Sequence, residues 1–212
     1  AHNGMVFVRG NRDDYERWEN FGLKSWSYNK ILPYFKKIET WSGGANQYRG
    51  SLGLLPVDKS QNNNPLFDAF LKAASEANHK INPDMNGEQQ EGFGMFDTTI
   101  HNGERASVAK YYLNPIKNRK NLNIFSNSFV EKIIFEGKKA VGIEVKTKNK
   151  VEKFYAKKEL ILSGGSINSP QLLMLSGIGD ANHLKEKGIS VIHDLKGVGK
   201  NLQDHLETYI MQ

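Results

Sequence analysis

The chain has 212 residues and a formal net charge of +6, from 29 lysine and arginine residues against 23 acidic ones. Its three tryptophans, eight tyrosines and eleven phenylalanines supply enough apolar surface for a folded core and argue against disorder. The sequence holds no cysteine, which excludes a disulfide scaffold, cysteine zinc sites and thiol catalysis, and fits a reducing compartment. Because the lysines are scattered among acidic and amide residues, they predict a solvated surface and no nucleic-acid partner.

Three helices are predicted in the first part of the chain. The first covers 13–19, and the second covers 29–37 with Ser27 as its N-cap. A glycine-rich stretch with a short strand at 54–57 follows. After a turn at 62–65, the third helix carries its apolar residues on one face, namely Leu66, Phe67, Phe70, Leu71 and Ala74.

A polar, glycine-rich loop is predicted over 86–103. It contains a short strand at 95–100 and leads into a helix at 106–113. Glycine-rich polar loops of this length are frequently functional, so the loop is a candidate part of a site.

Alternating apolar residues then predict an antiparallel meander of three strands. The first two, 123–135 and 139–145, are joined by Glu136 and Gly137, which is a hairpin signal. The third strand is predicted at 150–156.

A strand, a glycine turn and a helix follow one another after the meander. Residues 159–162 are almost all apolar, as in a buried parallel strand, and 163–166 form the turn before a helix that runs through 171–175. Backbone amides at such a turn can approach a phosphate or a sugar. The alternative is a turn that only lets the helix pack on a sheet. The last six residues alternate like a strand that is cut short, and we expect an internal segment of a longer protein.

Three stretches together resemble the glucose-methanol-choline (GMC) oxidoreductase family of flavoenzymes: 3–11, 163–179 and 197–205. The resemblance implies an α/β (mixed α+β) fold, with an incomplete FAD-binding Rossmann-like domain, a β-meander and part of a substrate-binding domain. The implied division is FAD-binding domain at 1–60, substrate-binding domain at 61–120, FAD-binding domain with meander and return strand at 121–195, and the start of a further substrate-domain segment at 196–212.

The family's chemistry is alcohol oxidation, with FAD as the cofactor and hydride transfer to flavin N5. Stretches 89–94, 105–107 and 203–207 are most similar to the members that oxidise choline to betaine aldehyde. Another primary alcohol and a non-catalytic binding module remain the alternatives. The family's phosphate-binding fingerprint and its catalytic histidine with a His or Asn partner have no match here, so no catalytic residue is expected within this chain.

The resemblance also implies the partners of the whole protein. They are a small choline-like alcohol and an electron acceptor, which is oxygen or a quinone. It leaves open whether the whole protein associates with a membrane, and a cytoplasmic location or a peripheral place at the inner membrane is expected.

The resemblance assigns the cofactor contacts residue by residue. The flavin-contacting turn is His2, Asn3, Gly4, Met5 and Val6, the adenine partner is Val130, and the ribose side is Ser163, Gly164 and Gly165. Glycine lets backbone approach a flat ring, and the asparagine amide can both donate and accept. In some choline-oxidising members a histidine at the place of His2 carries covalent FAD, and a packed histidine beside non-covalent flavin is the alternative.

Substrate recognition is assigned to Glu207, with His205 shaping the same pocket. A buried carboxylate supplies the charge that a quaternary ammonium cannot obtain from hydrogen bonds. A strand-surface glutamate is the alternative. No metal site is expected, because the histidines are dispersed and no metal-binding motif occurs.

Overall fold

The computed structural model describes residues 4–61, 63–148, 150–204 and 206–210. The chain divides into two compact units, Ala1–Asn123 and Ile124–Gln212. Among the described residues, no helix is long and apolar enough to cross a lipid bilayer. The four-part domain division remains a prediction.

The first unit combines three helices with a small mixed sheet. Its elements in chain order are β1 (Val6–Phe7), α1 (Arg12–Asn20), α2 (Tyr28–Ile38), β2 (Glu39–Trp41), β3 (Leu55–Lys59), α3 (Pro65–Glu76), β4 (Asp97–Thr98), β5 (Ile100–His101) and β6 (Glu104–Arg105), followed by a π-helical turn (Ala109–Leu113) and a 3-10 turn (Asn114–Ile116). The sheet order is β1-β4-β3-β2, and β2 pairs with β3 in parallel while the other pairs are antiparallel. The sheet therefore places β1, which follows the turn at Gly4, beside β4.

Local signals in the sequence explain where the helices begin. Asn11 caps α1 and forms a capping box with Asp14, and Asn64 caps α3 with Pro65 in its first turn. Ser27 occupies the position before α2, although its side chain makes no capping hydrogen bond. The three predicted helices are thus confirmed. Facing side chains of α1 and α2 form an apolar core, consisting of Tyr15, Tyr28 and Ile31 with Leu32 and Phe35 packed against them.

The second unit is built on the predicted meander, which is confirmed. Its strands β7 (Phe129–Glu136), β8 (Lys139–Lys146) and β9 (Val151–Tyr155) pair antiparallel in that order. Gly137 takes the positive φ, 59°, that the tight turn between β7 and β8 requires. After the meander come α4 (Gly165–Leu175), β10 (Ile178–Gly179), α5 (Ala181–Glu186) and β11 (His193–Asp194).

A buried serine joins α4 to the meander. The Ser176 hydroxyl accepts a hydrogen bond from the Ile133 amide at 2.8 Å and donates to the Leu172 carbonyl at 2.6 Å. It therefore satisfies an edge amide of β7 with a side chain from the end of a helix.

Two predicted strands are wrong. Residues 159–162 belong to no strand, and Ile161 is 78% exposed. A parallel strand needs hydrogen-bonding neighbours, and the described part of the chain offers none beside this stretch. The second is the cut-short strand expected at 207–212. Of these residues, the described 207–210 also lie outside any strand and are exposed, for the same reason.

The predicted strand at 95–100 is divided in two. Asp97–Thr98 pairs with β1 and β3, whereas Ile100–His101 forms a hairpin with β6. The helix predicted over 106–113 is reduced to the π-helical turn and the 3-10 turn, where Pro115 lacks the amide that a regular helix needs.

Candidate functional site

The predicted flavin-contacting turn leads into β1. Met5 has a φ of 67°, a left-handed conformation that is uncommon for a residue other than glycine. Its carbonyl accepts hydrogen bonds from the Thr99 amide at 2.8 Å and the Thr99 hydroxyl at 3.2 Å. Backbone in such a conformation persists only where its surroundings hold it, and functional sites are frequent places for it.

The backbone of the turn at Gly4 has open space beside it, which fits a planar ligand. A β-carbon built on Gly4 would meet no atom of the described residues within 4 Å, so this face of the backbone is open. Val6, the next predicted contact, pairs with Thr98 and is half exposed. These residues can hold a flat ring by backbone approach, and an open glycine followed by a constrained Met5 is suited to that role.

Side-chain amides hold the chain that follows the turn. The Asn86 side chain donates to the Phe7 carbonyl at 2.9 Å and accepts from the Arg9 amide at 2.7 Å. The Gln90 side chain donates to the Arg9 carbonyl at 2.7 Å. The loop predicted to be functional therefore supports β1 through its side chains.

A cluster of charged side chains, most of them buried, lies next to β1, whose Phe7 pairs with Asp97. We call Arg9, Glu39, Arg49, Asp84 and Asp97 the ion cluster. Arg49 contacts Glu39 at 3.0 Å and both Asp84 and Asp97 at 2.6 Å, while Arg9 contacts Glu39 at 2.7 Å. The side chains of Glu39 and Arg49 are fully buried.

The pKa values of the two buried guanidinium groups shift in opposite directions. The pKa of Arg9 is lowered, because burial disfavours its charged form more than the attraction of Glu39 favours it. Burial by itself would also lower the pKa of Arg49, but hydrogen bonds with Glu39 and Asp97 outweigh burial and the pKa is raised. Arg49 is therefore the better-compensated charge and the centre of the cluster.

An open, polar cavity of about 320 Å³ lies next to Arg9. Its walls come from the chain after β1, from Tyr28 and from residues 85–91. Arg12, in this wall, places its guanidinium over the Tyr28 ring, 4.7 Å from the centroid. The loop that carries Asn86 and Gln90 therefore faces solvent on one side and β1 on the other.

The second unit carries the predicted adenine and ribose contacts. Val130 is half-buried on β7 beside an extra residue in that strand, where the register with β8 shifts. Ser163 and Gly164 are exposed and precede α4, and Gly165 begins that helix with a φ of 89°. A β-carbon on Gly165 would meet no described atom within 4 Å. An open glycine at a helix N-terminus suits an approaching sugar or phosphate group.

Of the two predicted substrate residues, the structure describes only Glu207. Glu207 is exposed in an irregular segment, where its carboxylate accepts a hydrogen bond from the Tyr209 hydroxyl and raises the pKa of that phenol. His205, together with His2 and Asn3 of the flavin turn, lies outside the described residues. No group of three or more histidine, aspartate or glutamate side chains among the described residues is arranged to hold a metal ion. The roles of all these residues remain predictions.

The chain belongs to the GMC oxidoreductase family, whose profile matches residues 1–207. It is 52% identical over 210 residues to the mitochondrial choline dehydrogenase of Homo sapiens. The aligned region covers 99% of this chain and 35% of that protein. It is 49% identical over 210 residues to the oxygen-dependent choline dehydrogenase of Brucella anthropi, covering 99% of this chain and 38% of that protein. The chain thus spans little more than a third of these relatives.

Solved structures have the same fold. Pyridoxine 4-oxidase from Mesorbium loti superposes with a TM-score of 0.85 at 28% identity, over 91% of this chain and 38% of that one. An FAD-dependent oxidoreductase from Chaetomium thermophilum gives a TM-score of 0.85 at 31% identity, over 91% of this chain and 36% of that one. The predicted family and fold class are therefore confirmed.

Sequence reasoning missed the ion cluster and Asn86. Arg9 alone has partners 30 and 77 positions away, namely Glu39 and Asn86, so no short spacing in the sequence reveals these contacts. One signal was available at Arg9, which follows the apolar residues 5–8 and precedes a glycine, a context in which an arginine can turn inward. Arg49 follows a mixed polar stretch and carries no such signal.

Proposed function

We propose that the intact protein is an FAD-dependent alcohol oxidoreductase that oxidises choline to betaine aldehyde. The observation that supports it most is the 52% identity with a choline dehydrogenase along 99% of this chain. When bound, FAD supplies the hydride acceptor, and the protein orients cofactor and substrate and excludes water. The family's base has no match here, so the chain's own contribution is binding and orientation.

The chain's residues divide this work between the two ends of the cofactor. The turn at Asn3, Gly4, Met5 and Val6 would hold the flavin ring through backbone. His2 would contact the ring, either through a covalent link or as a packed histidine beside non-covalent flavin. Val130 with Ser163, Gly164 and Gly165 would hold the adenine and ribose end. The open backbone at Gly4 and Gly165 supports both assignments.

The test uses the intact gene product. We expect it to purify with yellow, FAD-containing absorbance and to lose that absorbance in anaerobic choline without added nicotinamide. A colourless protein, or one whose bound nucleotide is NAD, would contradict the proposal. Flavin that choline leaves oxidised while another primary alcohol reduces it would move the substrate to that alcohol. Acid precipitation tests His2, because flavin that remains in the supernatant is not covalently bound.

Glu207 is proposed to bind the trimethylammonium head of choline, with His205 shaping the pocket. We expect Glu207→Gln to raise the KM for choline about tenfold or more, since the amide keeps the shape and loses the charge. The KM for 3,3-dimethylbutan-1-ol, the uncharged isostere of choline, should change little. Steady-state kinetics with both alcohols measure this, with Glu186→Gln, an exposed glutamate at the end of α5, as the matched control. Equal changes for the two alcohols would remove Glu207 from the site.

We further propose oxygen or a quinone as the electron acceptor, and the Brucella anthropi relative is named as oxygen-dependent. A cytoplasmic location is proposed, with peripheral attachment to the inner membrane as the alternative. Oxygen consumption with and without added quinone separates the two acceptors, and salt-washed membrane fractions separate the two locations.

A further inference from the structure

We propose that Asn86 is a positioning residue for the flavin, acting through β1 on the turn at Gly4 and Met5. The inference rests on the proposed function, because it needs a flavin at that turn. Asn86 itself is not assigned a contact with the cofactor. Its effect passes through the backbone of residues 5–9.

The first step is the place at which Asn86 acts. The pairing of β1 with β4 ends at Phe7, opposite Asp97. Beyond this point the Asn86 side chain binds the backbone, since it donates to the Phe7 carbonyl and accepts from the Arg9 amide. The side-chain amide therefore supplies the donor and the acceptor that one further residue of a neighbouring strand would supply.

The second step is the anchoring of Asn86. Its side chain is buried, and its backbone amide donates to Asp84 Oδ1 at 2.9 Å. The same Asp84 oxygen accepts from Arg49 at 2.6 Å. Asn86 is thus tied to the ion cluster and cannot follow small movements of β1. The strand is held against a fixed point.

The third step is the transmission to the turn. Phe7 lies two residues after Met5, whose left-handed conformation is held by Thr99 at the other end of the strand. A short strand fixed at both ends leaves little freedom to the backbone between them. Positioning errors well below the length of a bond alter how tightly a rigid ring is held, and orientation is a major part of catalysis.

The chemistry of the amide makes the proposal specific. An asparagine donates and accepts at the same time, whereas an aspartate of the same shape can only accept. In Asn86→Asp, a carboxylate oxygen would face the Phe7 carbonyl, and the Arg9 amide would keep its acceptor. β1 would thus lose one defined hydrogen bond, the one that the Asn86 side chain donates to the Phe7 carbonyl.

The test compares wild type, Asn86→Asp and Asn29→Asp in the intact gene product. Asn29 is exposed on α2, so Asn29→Asp makes the same chemical change away from β1. We expect Asn86→Asp to retain FAD about tenfold more weakly, corresponding to about 1.4 kcal/mol. Where FAD is covalent, we expect a lower fraction of flavin-carrying protein. The visible absorption band of the bound flavin should also shift, and the control should match wild type in every readout.

A second variant protects the test against misfolding. Thr99→Val keeps the backbone bond to Met5 and replaces only the hydroxyl by a methyl group, so it should fold and shift the flavin band to a smaller degree. If the wild type carries FAD and both variants match its retention and spectrum, the positioning role is wrong while the proposed function stands. If Asn86→Asp fails to fold, an unchanged flavin band in Thr99→Val overturns the inference and a shifted band supports it. A wild type without FAD would overturn the proposed function and this inference together.

Discussion

Replacing Arg49 by methionine is expected to lower the free energy of unfolding by about 3–5 kcal/mol, the cost of breaking a buried ion pair on one side. Arg49 is fully buried and contacts Glu39, Asp84 and Asp97. Methionine is similar in length and apolar, so the loss is mainly electrostatic. It leaves the Glu39 carboxylate with Arg9 as its remaining cation in the cluster, and it leaves Asp97 without its Arg49 contact. Calorimetric unfolding of the intact protein measures the effect.

The matched control is Arg17→Met. Arg17 pairs with Asp14 at 2.9 Å on the exposed side of α1, where an ion pair contributes about 0–1 kcal/mol. The same substitution there should hardly change the unfolding temperature. Arg49→Lys should lie between wild type and Arg49→Met, because one ammonium cannot reproduce the planar fork that reaches three carboxylates. Similar losses for Arg49→Met and Arg17→Met would show that the ion cluster does not stabilise the fold.

Gly50→Ala is expected to destabilise the protein by about 3 kcal/mol, at the upper end of the usual cost of overpacking. A β-carbon at Gly50 would lie 1.9 Å from the Lys36 carbonyl oxygen, which is backbone of α2 and cannot rotate away. Moving Gly50 would also disturb its amide, which donates to Glu39 Oε1 at 2.8 Å. The substitution thus affects helix packing and the ion cluster together, and thermal unfolding measures the loss.

Gly197→Ala provides the comparison for Gly50→Ala. Its β-carbon would meet no described atom within 4 Å, and the residue is exposed. The alanine should therefore leave stability unchanged or raise it by up to about 1 kcal/mol through a less flexible unfolded chain. If Gly50→Ala costs as little as Gly197→Ala, the close approach of Gly50 to Lys36 is relaxed in solution.

Elements that depend on neighbouring residues could be predicted from the amino-acid sequence. The helices at α1, α2 and α3 follow from apolar spacing and from caps such as Asn11 and Asn64, which act within one helical turn. The meander follows from alternation and from the hairpin turn at Gly137. The family could be recognised from the motifs in 3–11, 163–179 and 197–205, because each motif lies within one short continuous stretch of sequence.

The contacts between residues far apart in the chain could not be predicted and are known from the fold. Residues 159–162 have the composition of a buried strand, yet a strand forms only beside a partner, and composition does not state whether one is present. The ion cluster joins five residues between positions 9 and 97, and Asn86 reaches back 77 positions to Arg9. The physical reason is the range of the interactions. Caps and turns act between neighbours in sequence, whereas buried charges and amides are satisfied by whatever the fold brings within about 3 Å.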